Sequence, residues 1–181
     1  LPYVVLAGVM TAWHLFAWYR DNRHCGRCGH ATVHDKKERM MRCPHCGNMI
    51  FPRINPSVIV AVTDGDRLLL SKYAGRAYTR YALLAGYTEI GETLEQTVQR
   101  EVMEEVGLRV KNIRYFDSQP WGYASNLLLG YFCELDGSAE IHFDKNELSL
   151  AGWYSREEMD IAADDVSLTN DMIRAFIENR H

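Results

Sequence analysis

Two cysteine pairs constrain this chain more than any other feature. Cys25-Gly-Arg-Cys28 and Cys43-Pro-His-Cys46 are separated by fourteen residues, and each is followed by a glycine, Gly29 and Gly47. A C-x-x-C turn presents two thiolates together, and two such turns complete the tetrahedral four-sulfur set that Zn2+ takes. With four sulfurs the site is closed, so it reads as structural; a catalytic zinc keeps one position open. The competing reading is redox, because C-P-H-C also occurs in thiol oxidoreductases. That chemistry needs the motif at a helix N-terminus in a βαβ unit, and no such unit follows. Cys133, inside the apolar run NLLLGYFCEL, reads as a small core residue. An odd cysteine count with paired spacing fits a reducing compartment and a metal, which favours the cytoplasm. His30, His34 and His45 near the pairs read as surface residues.

The 181 residues suffice for one domain with a core plus a small appendage. A net charge of −4 and a pI near 6.0 lack the basic signature of a general nucleic-acid binder. The chain begins with Leu1, not Met, as expected of a processed or cut chain. The opening LPYVVLAGVMTAWHLFAWY has no Lys, Arg, Asp or Glu and is long enough to cross a bilayer. Pro2, Thr11 and His14 interrupt it, and no basic n-region or small-residue cleavage site marks a signal peptide. The expectation is therefore no membrane span, but a strand or coil followed by a buried helix through Trp13, Phe16, Ala17 and Trp18. Composition divides the chain into an aromatic lead-in at 1–24, a cysteine ribbon at 25–50 and a regular apolar domain at 51–181.

In that third part PSVIVAVTD reads as a buried strand, Asp64-Gly65-Asp66 as a hairpin turn and RLLLSKY as the partner strand. YALLAGY is a further short apolar run. Thr93-Leu94-Glu95-Gln96 has the form of a capping box, opening a helix that Gly107 ends. Strand-like segments follow at RVKNIRYFDSQ, NLLLGYFCEL, AEIHF and LAGWYS. SLTNDMIRAFIENR reads as an amphipathic helix capped by Ser167, with Leu168, Met172, Phe176 and Ile177 inward. Strands flanked by helices predict an α/β or α+β sandwich.

The helix that ends in REVMEEVG places Glu101, Glu104 and Glu105 in its last two turns, where negative charge opposes the helix dipole. On a helical wheel Leu94, Val98, Val102 and Val106 make one apolar stripe. Glu101 and Glu105 border it, with Glu104 on the polar side. One reading is a solvated acidic face with an Arg100–Glu104 pair four residues apart. The other is a hard divalent cation held among the carboxylates, which offsets both the dipole penalty and their mutual repulsion.

Gly86-Tyr-Thr-Glu-Ile-Gly-Glu92 and, seven residues on, Arg100-Glu-Val-Met-Glu-Glu-Val-Gly-Leu108 resemble the Nudix box, G-x5-E-x7-R-E-U-x-E-E-x-G-U, at every fixed position. The resemblance implies a Nudix α/β/α sandwich with a mixed sheet, here preceded by the small zinc ribbon. It also implies hydrolysis of a nucleoside diphosphate linked to another moiety. By the same resemblance Glu101 and Glu105 ligate Mg2+ or Mn2+ with help from Glu104, and Glu92 braces the loop through Arg100. Glu105 is the expected general base. A four-cysteine ribbon before such a domain resembles the NADH pyrophosphatases. So does Ser118-Gln119-Pro120-Trp121, although the subfamily's S-Q-P-W-P-F-P-x-S continues here as Gly122-Tyr123-Ala124-Ser125-Asn126. The subfamily likeness further implies Phe51 and Tyr87 as aromatics of the nucleotide site, and Glu147 and the Ala85 carbonyl as metal ligands. Glu38 and Thr169 become substrate contacts, as do Ser118 to Trp121, Tyr123, Ser125 and Asn126. It covers about residues 20–181, and only the aromatic lead-in stands for the family's N-terminal domain.

The expected activity is therefore cleavage of NADH, NAD+ or an NAD-capped RNA to nicotinamide mononucleotide and AMP, by a homodimer. Two rivals remain. One is a broader dinucleotide, ADP-ribose or nucleotide-sugar pyrophosphatase, favoured by the altered loop after Trp121. The other is a non-catalytic module that binds nucleic acid or another ligand.

Overall fold

The computed structural model describes residues 3–75, 80–159 and 167–181. The chain divides into two compact units, residues 1–55 with 121–126, and residues 56–120 with 127–181.

The first unit opens with helix α1, Tyr3–Asp21. Among the described residues no strand or coil precedes this helix. Ala, Leu and Met among the valines favour helix from the start, and Arg20 in the last turn complements the dipole. Nor is the helix buried as expected. Trp18 is buried, but Val5, Val9, Trp13 and Phe16 form an exposed stripe along one face. Gly122 lets α1 come close: a Cβ there would lie 2.4 Å from the Met10 carbonyl oxygen. This glycine stands where the resembling motif carries proline, so the departure has a packing reason. The ribbon holds three two-residue strands that the sequence did not announce. These are β1 (Val33–His34), β2 (Met41–Arg42) and β3 (Met49–Ile50), paired antiparallel in that order.

The second unit is built on β4, Asn55–Asp64, whose residues alternate between two cores. Val58, Val60 and Val62 face one cluster, with Val98, Val102 and Val106 of helix α2 (Leu94–Val106). Ile59 and Ala61 face the other, with Leu168, Met172, Ile173 and Phe176 of helix α3 (Leu168–Ile177). A strand apolar on both faces is thus covered by a helix on each, which is the expected sandwich. The three α2 valines are fully buried, each adding about 1.5–3 kcal/mol of apolar transfer. Strand β5 (Arg67–Tyr73) follows the Asp64-to-Arg67 hairpin. The others are β6 (Leu84–Tyr87), β7 (Val110–Trp121), β8 (Asn126–Leu135) and β9 (Leu148–Ser155). The sheet runs β7-β8-β4-β5-β9, with β6 antiparallel to β4.

AEIHF is not the expected strand. Ile141 and Phe143 do pack against the first core, so its alternation is real. Its backbone bonds elsewhere: the His142 N–H donates to the Val106 carbonyl, and Ala139 accepts from Trp153 Nε1. In α3 the half-buried Ile177 joins Leu168, Met172 and Phe176 against the second core, as expected. Cys133 is fully buried, and burial pushes its thiol up to about 12, which keeps it inert.

Helix α2 begins at a complete capping box, with Thr93 Oγ1 accepting from the Gln96 N–H and the Gln96 side chain accepting from the Thr93 N–H. It ends at Gly107 in the left-handed region, φ 70°. Thr93→Ala is expected to cost about 1 kcal/mol, and an unchanged urea midpoint would sink this account of the helix start.

Candidate active site

Helix α2 supplies the acids and β6 the floor against which they pack. Gly86 of β6 sits so close to Glu101 that a Cβ would lie 1.9 Å from its carboxyl carbon. Any side chain at Gly86 would displace that carboxylate, so the opening glycine of the box is a steric requirement.

Arg100 organises the rest. Its Nε donates to Glu92 Oε1 at 2.6 Å and its Nη2 to Glu92 Oε2 at 3.0 Å, a two-pronged pair. Nη2 also donates to the Tyr87 carbonyl at 2.8 Å, tying α2 to the end of β6. Nη1 reaches Glu101 at 2.7 Å and Glu104 at 3.0 Å. Glu92 in turn accepts from the Glu89 N–H and from Thr97 Oγ1, which folds the loop before the helix. Glu92 thus ties the loop before α2 to Arg100.

The two carboxylates that share this arginine shift in opposite directions. Arg100, chiefly through the hydrogen bond, pulls Glu92 down to about 2. Glu101 moves up instead, because burial outweighs the help from Arg100. Glu105 is buried at 8% exposure, and Glu104 points outward with a side chain 60% exposed. Glu104 is therefore the surface i,i+4 partner of Arg100, as one of the two sequence readings had it.

A cavity of about 420 Å³ brings together Ala85, Tyr87, Arg100, Glu101, Glu105 and Glu147. Glu147 arrives just before β9 from a part of the chain remote from the box. Glu101, Glu105 and Glu147 line one cavity, and carboxylate oxygens are the donors a hard divalent cation takes, although among the described residues their oxygens do not close to within 4.8 Å of one another as the four sulfurs do. Buried acids on a helix C-terminal turn fit such an ion: one is already destabilised by burial, and Gly86 keeps space at its carboxylate. Tyr73, Glu89 and Asn146 also line the cavity and escaped the sequence reading. Glu89 and Asn146 had a faint signal, since each lies within three residues of a predicted site residue.

Several expected substrate contacts are not among the residues that line this cavity. Gln119 Oε1 accepts from the Leu168 N–H, so it caps α3, and Thr169 is in the first turn of that helix. Ser118 and Pro120 are exposed on β7. In the first unit, Phe51 and Ser125 share a separate cleft of about 320 Å³ with Trp18 and Arg53. Ser125 adopts φ 58°, and its carbonyl accepts from the Asn55 N–H at 2.7 Å. Trp121 is half-buried, Tyr123 exposed and Asn126 buried. Glu38 is exposed on the turn between β1 and β2.

The four ribbon cysteines converge. Their sulfurs all lie within 4.8 Å of one another, with Cys25–Cys46 at 3.6 Å and Cys28–Cys43 at 3.5 Å. A tetrahedron with Zn–S bonds of ~2.3 Å has edges of about 3.8 Å, so the set fits zinc. His30 and His45 are exposed as expected, but their rings stack on each other at 3.7 Å.

The NUDIX domain family matches residues 53–176, and the NADH pyrophosphatase zinc ribbon domain matches residues 20–51. Proteins described as NAD-capped RNA hydrolase NudC from Citrobacter koseri and Pectobacterium carotovorum are each 43% identical over 145 residues, 80% of this chain. The chain spans only 56% and 55% of those relatives. Among solved structures, a NUDIX hydrolase from Nitrosomonas europaea aligns with TM-score 0.71 at 23% identity, covering 88% of this chain and 92% of that one. An ADP-ribose pyrophosphatase from Streptococcus suis aligns with TM-score 0.54 at 20% identity, covering 70% and 92%. These two establish a shared fold. With the box, the carboxylate cavity and the four-cysteine ribbon in place, the chain belongs to the NUDIX hydrolase family and carries the zinc ribbon of the NADH pyrophosphatases.

Proposed function

We propose that this chain hydrolyses the pyrophosphate of NADH, NAD+ or an NAD-capped RNA, releasing nicotinamide mononucleotide and AMP or a 5′-phosphorylated RNA. The observation that carries the reading is the cavity that Glu101, Glu105, Glu147 and Tyr87 line together. The ribbon match and the relatives' printed activity support NAD or an NAD cap as the substrate. Tyr87 is half-exposed, and its ring offers a stacking face worth about 1 kcal/mol to a substrate base.

Glu101, Glu105, Glu147 and the Ala85 carbonyl are the groups that would hold Mg2+ or Mn2+. Such an ion, when bound, neutralises phosphate oxygens and acidifies water. The chain's own part is positioning and proton transfer. Arg100 fixes the loop and the Glu101 carboxylate, and Glu105 takes the proton of the attacking water. The water oxygen bonds to one phosphorus as the bridging P–O bond breaks, so each half leaves as a monophosphate. The ribbon zinc is structural, holding the four thiolates of the first unit. Assembly as a homodimer and a cytoplasmic location belong to the same proposal. No helix among the described residues is long and apolar enough to cross a membrane.

Release of AMP from NADH with Mg2+ or Mn2+ tests the proposal. Glu105→Gln is expected to lower kcat by about 10²–10⁴-fold at unchanged zinc content. Release from ADP-ribose but not from NADH would transfer the site to the broader pyrophosphatase reading. Inactivity toward every pyrophosphate would favour a binding module.

Acid stability gives a second check. Glu92 is depressed in the folded state, so its contribution is present above the unfolded value of 4.5 and is lost as pH falls towards about 2. Wild type should therefore lose stability more steeply than Glu92→Gln between those values. Parallel curves would refute the Arg100–Glu92 clamp as a stabilising pair.

A further inference from the structure

The net charge of −4 conceals a division between the units. Residues 1–55 with 121–126 hold eight of the twenty Lys and Arg but only three of the twenty-four Asp and Glu. Two of those acids are already paired inside the unit, Asp21 with Arg20 at 2.7 Å and Asp35 with Arg42 at 3.0 Å. Four thiolates on Zn2+ would subtract roughly two charges, and the unit would stay positive. The other unit holds twelve Lys and Arg against twenty-one Asp and Glu.

The positive charge is densest at the turn Asp35-Lys-Lys-Glu-Arg39 between β1 and β2. Asp35 builds that turn. Its Oδ1 accepts from the N–H groups of Lys37 and Glu38 at 2.9 and 3.0 Å, and its Oδ2 from Arg42 Nε. This acid is therefore occupied within the ribbon. Lys36, Lys37 and Arg39 are exposed and make no ion pair among the described residues. Glu38 is exposed beside them, one acid against three cations. His34, Asp35, Lys36, Lys37, Glu38 and Arg42 line an open cleft of about 450 Å³ with the buried Met40, and Asp35 there is already held by Arg42.

We infer that this turn is a phosphate-binding face for the single-stranded RNA chain that follows an NAD cap. Lys36, Lys37 and Arg39 meet successive backbone phosphates and read no sequence. A free dinucleotide has no phosphates beyond its own pyrophosphate, whereas a polynucleotide presents one per residue. The complementary charge is that of an extended polyanion. The inference rests on the proposed function for the cap alone, because binding of the chain needs no turnover.

The test uses a short, uncapped, fluorescently labelled single-stranded RNA and the full chain with zinc, followed by anisotropy across a salt series. Wild type should bind with a linear log–log salt dependence. The triple variant Lys36→Ala/Lys37→Ala/Arg39→Ala should flatten the slope by about 2, at roughly 0.7 for each phosphate no longer neutralised. Zinc content verifies that the variant ribbon is intact. With both substrates turned over, the variant should lose kcat/KM on NAD-capped RNA and keep it on free NADH. RNA binding without hydrolysis of NADH would sink the proposed function and leave this inference standing. Hydrolysis of NADH with no RNA binding, or with a salt slope the substitutions do not change, would overturn it. So would adsorption to phosphatidylserine vesicles, abolished in the variant, without any binding to RNA.

Discussion

The four-way grip of Arg100 is the interaction on which the site depends. One guanidinium joins the loop acid Glu92, the helix acids Glu101 and Glu104, and the Tyr87 carbonyl at the end of β6. Loop, helix and strand then move as one piece. A lysine could not do this, because only the planar fork reaches both Glu92 oxygens while still donating outward. The grip also shifts the two carboxylates in opposite directions. Glu92 receives two charge-assisted bonds plus two further donors and is held ionised. Glu101 receives one and lies deeper, so desolvation wins. An acid destabilised in this way gains more from a cation than a solvated one does, since the ion removes a cost already present.

This arrangement accounts for acids on a helix end that the dipole disfavours. A solvated acidic face would have left all three glutamates exposed. Only Glu104 behaves so, and it contributes little beyond a surface pair. The site therefore keeps one glutamate as ordinary surface chemistry and two as a shielded pair beside a glycine floor.

Local chemistry was legible in the sequence, and meetings between distant segments were not. The capping box, Gly107 and the valine stripe located α2 within a residue, because each is a short-range backbone or periodic signal. The apolar run of β4 was legible as a buried strand, and the structure covers both its faces with helices. AEIHF misled because alternation reports burial, not a ladder partner, and its His142 N–H found the Val106 carbonyl instead. The early start and exposed stripe of α1 were hidden because an apolar segment without charges reads as buried whatever covers it. Glu101 and Glu105 could be read from spacing, but Tyr73 and Asn146 enter the cavity from β5 and from the approach to β9. No spacing rule connects those segments. Gln119 shows the converse, a residue whose motif implied substrate contact and whose side chain caps α3.

Charge had to be read by unit to mean anything. Averaged over the chain, it describes a mildly acidic protein with no claim on a polyanion. Divided at the boundary of the two units, it describes a strongly acidic body that would repel pyrophosphate and a basic one that would attract it. A hydrolase of polyanions that holds its metal with carboxylates faces this conflict in every case, because the ligands repel the substrate whenever the metal is absent. An ion held at the cavity, as proposed, would neutralise charge only there, close to Glu101 and Glu105. Longer reach requires fixed cations elsewhere, and the ribbon concentrates them on a turn whose Asp35 is committed to holding the turn together. Screening sets that reach at about 10 Å in ordinary salt, so the turn acts on the chain it touches and not on substrate in bulk solution.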